Sequence, residues 1–167
     1  MIWVAATMAA IVGLSPMMMG VSETQEATIA LALVNPHYPQ PRANEASALV
    51  ADVNAERIKR GLPPLARDAQ LDRFAYAKAV DMAARGYVGH TDPDGVAFQD
   101  RLRSWHWPTT YAAENIAFDW NESRAHTAFM TSPPHAQNVL DPRQRRIGVA
   151  VVTVGSHATF YVENFSS

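Results

Sequence analysis

The chain has 167 residues, a formal net charge of −2 and a hydrophobic content of 48%. That length accommodates one compact domain with an extension, and the hydrophobic content suffices for a globular core. The lack of a broad basic field argues against nucleic acid as a partner. The lack of cysteine excludes disulfides, thiolate zinc sites and a cysteine nucleophile.

Residues 1–34 are predicted to form a signal or membrane-anchor region. No charged side chain occurs from Met1 to Ser22, and the apolar stretch Ile2 to Leu14 is long enough for the core of an export signal. This pattern predicts a secreted or cell-envelope protein, with an N-terminal membrane tether if the segment is retained. Residues 35–43 are rich in proline, which favours an extended linker. We therefore predict a folded domain over residues 44–167.

Two long helices are predicted at the start of this domain. Asn44 is suited to the N-cap of the first helix, which should end before Gly61. Asp68 is suited to the N-cap of the second, and Gly86 suits a left-handed turn at its end. The apolar residues at helical spacing are Ala46, Leu49, Val50 and Val53 in the first helix, and Leu71, Phe74, Ala75, Ala79 and Met82 in the second.

The rest of the domain is predicted to contain two shorter helices and a hairpin. The helices are expected at 97–104 and at 122–130. The segments Ile147 to Val154 and Ala158 to Phe165 are rich in β-branched and aromatic residues and flank Gly155-Ser156, which suits a tight turn. Both alternating faces of the first strand are apolar or small, so helices should cover both faces of the sheet. The fold class is therefore α+β, a three-layer α/β/α sandwich with a mainly antiparallel central sheet.

The residues that could carry chemistry are His90, Glu114 and His135. His90 lies in a turn-rich loop directly after the second helix, where it could serve function or stabilise the turn. Glu114 stands in the apolar segment 112–117, where a buried carboxylate needs hydrogen-bond donors or a cation. His135 follows a Pro-Pro corner and could begin a short helical turn. Their spacing forms no local metal motif.

Read in order, the chain resembles the CAP superfamily of cysteine-rich secretory proteins, antigen 5 and pathogenesis-related proteins, in particular its cysteine-free bacterial branch. The similarity extends from about residue 44 to residue 165. The matching segments are Val53-Asn54-Ala55-Glu56-Arg57, Gly61-Leu62-Pro63-Pro64-Leu65, Gly89 to Gly95, Ala113-Glu114-Asn115-Ile116-Ala117, Ser132 to Leu140, Ile147-Gly148-Val149 and Tyr161-Val162-Glu163-Asn164-Phe165.

The resemblance implies an α/β/α sandwich with a surface cleft, in which the family places two histidines and acidic residues that can hold a divalent metal, often zinc. The corresponding residues here are His90, Glu114 and His135. Many family members carry a second glutamate on the helix before the last histidine. The equivalent stretch, Phe129 to Ser132, contains no carboxylate, so the expected Zn²⁺ ligand set is incomplete.

Three functions follow as hypotheses. We favour a non-enzymatic extracellular module whose cleft binds a divalent metal or a small-molecule, lipid or cell-envelope ligand. The second is a metal-assisted hydrolase, in which His90 and His135 hold Zn²⁺ and Glu114 is the catalytic base that deprotonates the bound water. In the third, the same residues form a hydrogen-bond network that pins the loops, and a partner binds elsewhere.

Overall fold

The computed structural model describes residues 39–108, 111–154 and 158–167. Its helices are α1 (Ala43–Lys59), α2 (Ala69–Arg85), α3 (Phe98–Ser104), α4 (Glu122–Thr131) and α5 (Pro133–Leu140). Its strands are β1 (Gln40–Pro41), β2 (Ala66–Arg67), β3 (Ala112–Asp119), β4 (Arg146–Val154) and β5 (Ala158–Ser166). Within these ranges every helix is too short or too polar to cross a membrane. The predicted signal or anchor region, residues 1–34, lies outside them.

The sheet is mainly antiparallel, as the sequence predicts. Its order is β1-β4-β5-β3, and the short β2 pairs with β4 in parallel. The predicted hairpin is confirmed, because β4 and β5 pair from Arg146 opposite Ser166 to Val154 opposite Ala158. The predicted turn residues, Gly155-Ser156, lie outside the described part of the chain. β3 pairs with β5 and forms one edge of the sheet.

Helices cover both faces of the sheet, which confirms the three-layer α/β/α sandwich. On one face Ala150 and Val152 of β4 pack in a cluster with residues of α2. On the other face Val149 and Val151 pack in a second cluster with residues of α1, α4 and α5. The alternation along β4 therefore places apolar side chains in both layers, as its sequence indicates.

The α2 layer approaches β4 most closely at Gly148. A Cβ atom built on Gly148 would lie 2.1 Å from the backbone carbonyl carbon of Leu71, which is far inside normal contact distance. Only glycine fits between the helix and the strand at this point. The close approach also lets Asp72 accept a 2.8 Å hydrogen bond from the backbone N–H of Val149.

Both predicted ends of α2 are confirmed. Asp68 is the N-cap, and its Oδ1 accepts hydrogen bonds from the backbone N–H groups of Gln70 and Leu71 at 2.8 and 3.1 Å. Gly86 follows the helix with φ of 68°, the left-handed conformation that favours glycine. The loop that carries His90 therefore leaves the helix in a fixed direction.

The predicted N-cap of α1 is wrong by two residues. The helix begins at Ala43 and Arg42 takes the N-cap position, although its side chain makes no capping hydrogen bond. The reason is tertiary: β1 pairs with β4, and the Arg42 N–H donates to Val151 O at 2.8 Å. The sheet thus sets where the helix starts, and Asn44 lies within the first turn.

Arg57 of α1 fixes the far end of the same layer. Its guanidinium is fully buried and donates to the carbonyl oxygens of Pro63, Val139 and Asp141 at 2.9, 2.7 and 3.0 Å. A buried cation with carbonyl partners avoids most of the cost of an unpaired charge. Because these carbonyls belong to two separated segments, Arg57 ties α1 to the end of α5.

Candidate functional site

Glu114 lies on the edge strand β3 and belongs to the face that α2 covers. β3 pairs with β5 along its whole length, and Glu114 is opposite Asn164. Its neighbour Ile116, two residues along, packs in the cluster formed with α2. Side chains alternate along a strand, so Asn115 belongs to the opposite face. The site therefore wraps around the edge of the sheet.

Arg101 of α3 neutralises the Glu114 carboxylate. Its Nη2 donates to both carboxylate oxygens, at 2.8 Å to Oε1 and 2.6 Å to Oε2. The Glu114 side chain is only 1% exposed, so an unpaired charge there would cost about 3 to 5 kcal/mol. Nη1 of Arg101 donates to the carbonyl oxygen of His90 at 2.7 Å. One guanidinium thus holds both the strand and the histidine loop.

His90 completes this network with its imidazole. Nδ1 lies 3.1 Å from Oε1 of Glu114. A carboxylate paired with arginine can only accept, so Nδ1 carries the hydrogen and donates. In the neutral ring Nε2 then has a free lone pair, and the side chain is 51% exposed. Glu114 therefore sets the tautomer of His90 and leaves Nε2 available to a ligand.

His135 lies in the first turn of α5, so a short helix is present as expected, but it begins at Pro133 and includes the Pro-Pro pair. Its ring packs edge-on against Phe129, with centroids 5.4 Å apart. Burial, and then the nearby charge of His90, lower the pKa of His135. The charge of one histidine thus affects the pKa of the other, although they are far apart in the sequence.

A buried polar network holds α5 against β3. Asn115 Nδ2 donates to the carbonyl oxygen of His135 at 3.2 Å and to Oε2 of Glu163 at 2.9 Å. Asn138 Nδ2 in turn donates to Asn115 Oδ1 at 2.9 Å. Glu163 is fully buried, and this burial raises its pKa to about 8 despite the Asn115 hydrogen bond. Asn115 therefore positions His135 through its backbone.

The family model described as CAP, the cysteine-rich secretory protein family, matches residues 50–165. The chain belongs to the CAP family. This match confirms the resemblance drawn from the sequence. The matched residues include both His90 and His135.

Relatives and solved structures agree with this assignment. The uncharacterized protein YkwD of Bacillus subtilis (strain 168) is 38% identical over 104 residues, covering 62% of this chain and 40% of YkwD. An outer surface protein from Borrelia burgdorferi has a TM-score of 0.72 at 19% identity, over 77% of this chain and 96% of that one. An extracellular SCP-domain protein from Bacillus anthracis str. Ames has a TM-score of 0.64 at 27% identity, over 74% of this chain and 40% of that one.

The residues of this CAP domain do not complete the expected zinc site. Among the described residues no group of three or more histidine, aspartate or glutamate side chains is arranged to hold a metal ion. Glu114 has both oxygens engaged by Arg101 and one by His90, whereas zinc sites usually need at least three protein ligands. Two imidazoles alone are too few. The Zn²⁺ site at His90, His135 and Glu114 stays a prediction.

Sequence reasoning missed a second buried cation beside the network. Lys78 of α2 is 2% exposed, and its Nζ donates to the Tyr87 hydroxyl at 2.9 Å. Tyr87 donates in turn to Asp81. Burial, and then the charge of Arg101, lower the pKa of Lys78 to about 8. This chain of contacts fixes the end of α2 just before the histidine loop.

Arg101 could have been found from the sequence. It lies at helical spacing with Phe98, Leu102 and Trp105, which form the buried face of α3. A basic residue on an apolar face needs an acidic partner, as the isolated Glu114 needs a cation. Asn115 and Glu163 carry no comparable local signal, because only the pairing of β3 with β5 brings them together.

Proposed function

We propose that this CAP domain is an extracytoplasmic binding module that contacts its ligand through the imidazoles of His90 and His135. The observation that carries the proposal is the state of Glu114, whose carboxylate is buried and occupied by Arg101 and His90. The network uses its charge to orient His90 through Nδ1, on a side chain that is 51% exposed. That arrangement presents a ligand contact in which Glu114 orients the imidazole and does not itself act as a base.

The same geometry argues against the hydrolase hypothesis. A base for a metal-bound water needs an accessible lone pair and room for that water. Glu114 is 1% exposed and accepts hydrogen bonds on both oxygens. For Glu114 to deprotonate a water, Arg101 would have to release the carboxylate. That release would leave two buried charges unpaired. The arrangement therefore supports no catalytic step in which Glu114 is the base.

An extracytoplasmic location is part of the proposal. The charge-free segment from Met1 to Ser22 has the pattern of an export signal. The solved relatives include an outer surface protein and an extracellular protein, which supports the same compartment. The matched part of this chain spans 40% of the length of YkwD. Any activity or partner of the whole protein is therefore a proposal as well.

Histidine-selective NMR on the full chain tests whether His90 and His135 contact a ligand. The probes are Zn²⁺ alone, phosphatidylglycerol vesicles and a soluble peptidoglycan fragment, which represent the metal, lipid and cell-envelope classes. We expect one probe to shift the ring resonances of His90 and His135 and to leave His106 unchanged. His106 is the matched control because it is exposed at the end of α3 and has no contact with Glu114.

The double variant His90→Asn/His135→Asn decides whether these two histidines form the binding site. Binding of the active probe should fall by about tenfold or more in this variant and by less than about twofold in His106→Asn, since asparagine tolerates the positive φ of residue 106. Equal binding in the double variant and the native chain would contradict the proposal. It would favour the hypothesis that the network only pins loops.

A further inference from the structure

A second candidate site is a cavity in the layer of α1 and α4, with a lining that includes neither His90 nor His135. It has a volume of about 510 Å³ and opens between the start of α1, the connection from β3 to α4, and the ends of β4 and β5 that form the hairpin. Its lining residues are Arg42, Glu45, Trp120, Asn121, Glu122, Ser123, Thr153 and Thr159. The lining combines carboxylates and hydroxyls with an indole that is 68% exposed.

The charges around this cavity do not balance. Arg42 pairs with Glu45, and Arg124 pairs with Asp119 at 2.8 Å. Glu122 forms no salt bridge among the described residues, and Asp52 of α1, which faces it, has only the half-buried His126 as a basic neighbour. The elements packed around the cavity carry these charged or titratable groups: Arg42, Glu45, Asp52 and Glu56 on and before α1, Asp119 at the end of β3, Glu122, Arg124 and His126 on α4, and Tyr161 on β5.

The Glu122 carboxyl shows the consequence of this imbalance. Its Oε1 is buried and accepts no hydrogen bond. Burial raises the pKa of Glu122 to about 7, together with the hydrogen bond and charge of Asp52 and the charge of Glu45. The cavity therefore contains an acceptor whose ionised form lacks a cation.

A buried hydroxyl lies close to the same acids. Tyr161 is fully buried, yet its hydroxyl makes no hydrogen bond of normal geometry. It lies beside Thr159 and feels the charges of Glu45 and Glu122, three residues that line the cavity. Buried hydroxyls are almost always paired in folded proteins. Tyr161 itself is not among the residues that line the cavity, so the Glu122 carboxyl is the unpartnered group inside it and the Tyr161 hydroxyl is a nearby one.

We propose that this cavity binds a primary alkylammonium group, held by Glu122 and Glu45 and covered by the indole of Trp120. An ammonium carries three N–H donors and matches a cavity with an excess of acceptors. Its charge offsets the Asp52 and Glu122 pair, and the exposed indole face attracts a cation.

Other ligand classes fit the cavity less well. A divalent metal needs several ligands around one point, and the described residues contain no such group. An anion would meet the Glu122 carboxyl, and the one lining cation, Arg42, is already paired with Glu45. A neutral sugar could stack on Trp120 but would leave the excess negative charge without a cation. A free amine and a lysine side chain are two sources of the same ammonium chemistry.

Calorimetry on the full chain at about pH 8, where Glu122 is mostly ionised, tests the site. The probes are 1,5-diaminopentane for the free amine, acetyl-Gly-Lys-Gly-amide for the lysine side chain, and methyl glucoside for the neutral sugar. We expect saturable one-site binding of at least one amine, with a Kd of about 1 mM or lower. Binding by the first amine alone assigns a free amine, and binding by the peptide assigns a lysine side chain.

Variants locate the binding and supply the contradicting outcomes. Glu122→Gln should weaken amine binding by about tenfold, because it removes a charge-assisted hydrogen bond. Asp94→Asn removes the same charge from an exposed loop and should change binding by less than about twofold. The proposal is overturned if neither amine binds, if both variants lose binding equally, or if only the glucoside binds. A thermal melt of each variant checks that it folds.

Discussion

The buried carboxyl of Glu163 should make the stability of this domain depend on pH, and Glu163→Gln should remove that dependence. Burial raises the pKa of Glu163 to about 8 from a reference value of 4.5. The folded state therefore holds the proton more tightly than the unfolded chain. The stabilisation is complete below the unfolded pKa and is lost as the pH rises through the window up to the folded pKa.

The size of the effect follows from that window. Each pH unit between the two pKa values changes the free energy of unfolding by about 1.4 kcal/mol, so the loss between about pH 5 and pH 7.5 is about 3 kcal/mol. Glutamine keeps an oxygen that can accept the hydrogen bond from Asn115 and resembles the protonated acid in shape. The variant should match the native chain in acid and exceed its stability by about 3 kcal/mol at neutral pH.

Urea unfolding at a series of pH values measures this difference. Glu122 also has a raised pKa, so the comparison is repeated in a Glu122→Gln background, where only residue 163 differs between the two proteins. Stability curves with and without the Glu163→Gln substitution that stay parallel within about 0.5 kcal/mol across the range would refute the reasoning. That result would mean that Glu163 is ionised in the folded domain and finds a partner for its second oxygen.

Two further substitutions test the network and the packing by urea unfolding. Arg101→Met leaves the Glu114 carboxylate buried without a cation and should cost about 3 kcal/mol, whereas Arg103→Met on the exposed side of α3 should cost less than about 0.5 kcal/mol. Equal costs would show that the Arg101 contact contributes nothing. Gly148→Ala should cost about 2 kcal/mol or more, because its Cβ would collide with the α2 backbone, while Gly89→Ala meets only ordinary contacts. An unchanged Gly148→Ala protein would contradict the close approach of α2 to β4.

Much of the fold could be predicted from local sequence. Asp68 and Gly86 mark the two ends of α2 because capping and left-handed turns depend on a few adjacent residues. The β4–β5 hairpin and its two covered faces follow from an apolar strand beside a turn. His90, Glu114 and His135 stood out as chemistry-bearing residues because each occurs in an unusual local setting.

The tertiary structure decided which partners these residues have. The sequence predicted that a buried Glu114 carboxylate needs hydrogen-bond donors or a cation. The packing of α3 against β3 places Arg101 there. Likewise Asn115 meets Glu163 only because β3 pairs with β5 in one register, and a shift by one residue would turn each side chain to the other face. The helix α1 also begins earlier than the Asn44 N-cap predicted, because β1 pairs with β4.

The sequence by itself thus determined the helices, the β4–β5 hairpin, the layers and the family, since caps, periodicity and motifs are encoded within short segments, whereas β1, β2 and β3 were not predicted. The structure alone determined the state of the site: a carboxylate that fixes His90, a histidine held through its backbone, and a cavity with an unpaired acid. These features depend on contacts between residues that are distant in the chain, such as Asn115 with Glu163 and Asp52 with Glu122. Such contacts are set by strand register and helix packing, which no local pattern specifies.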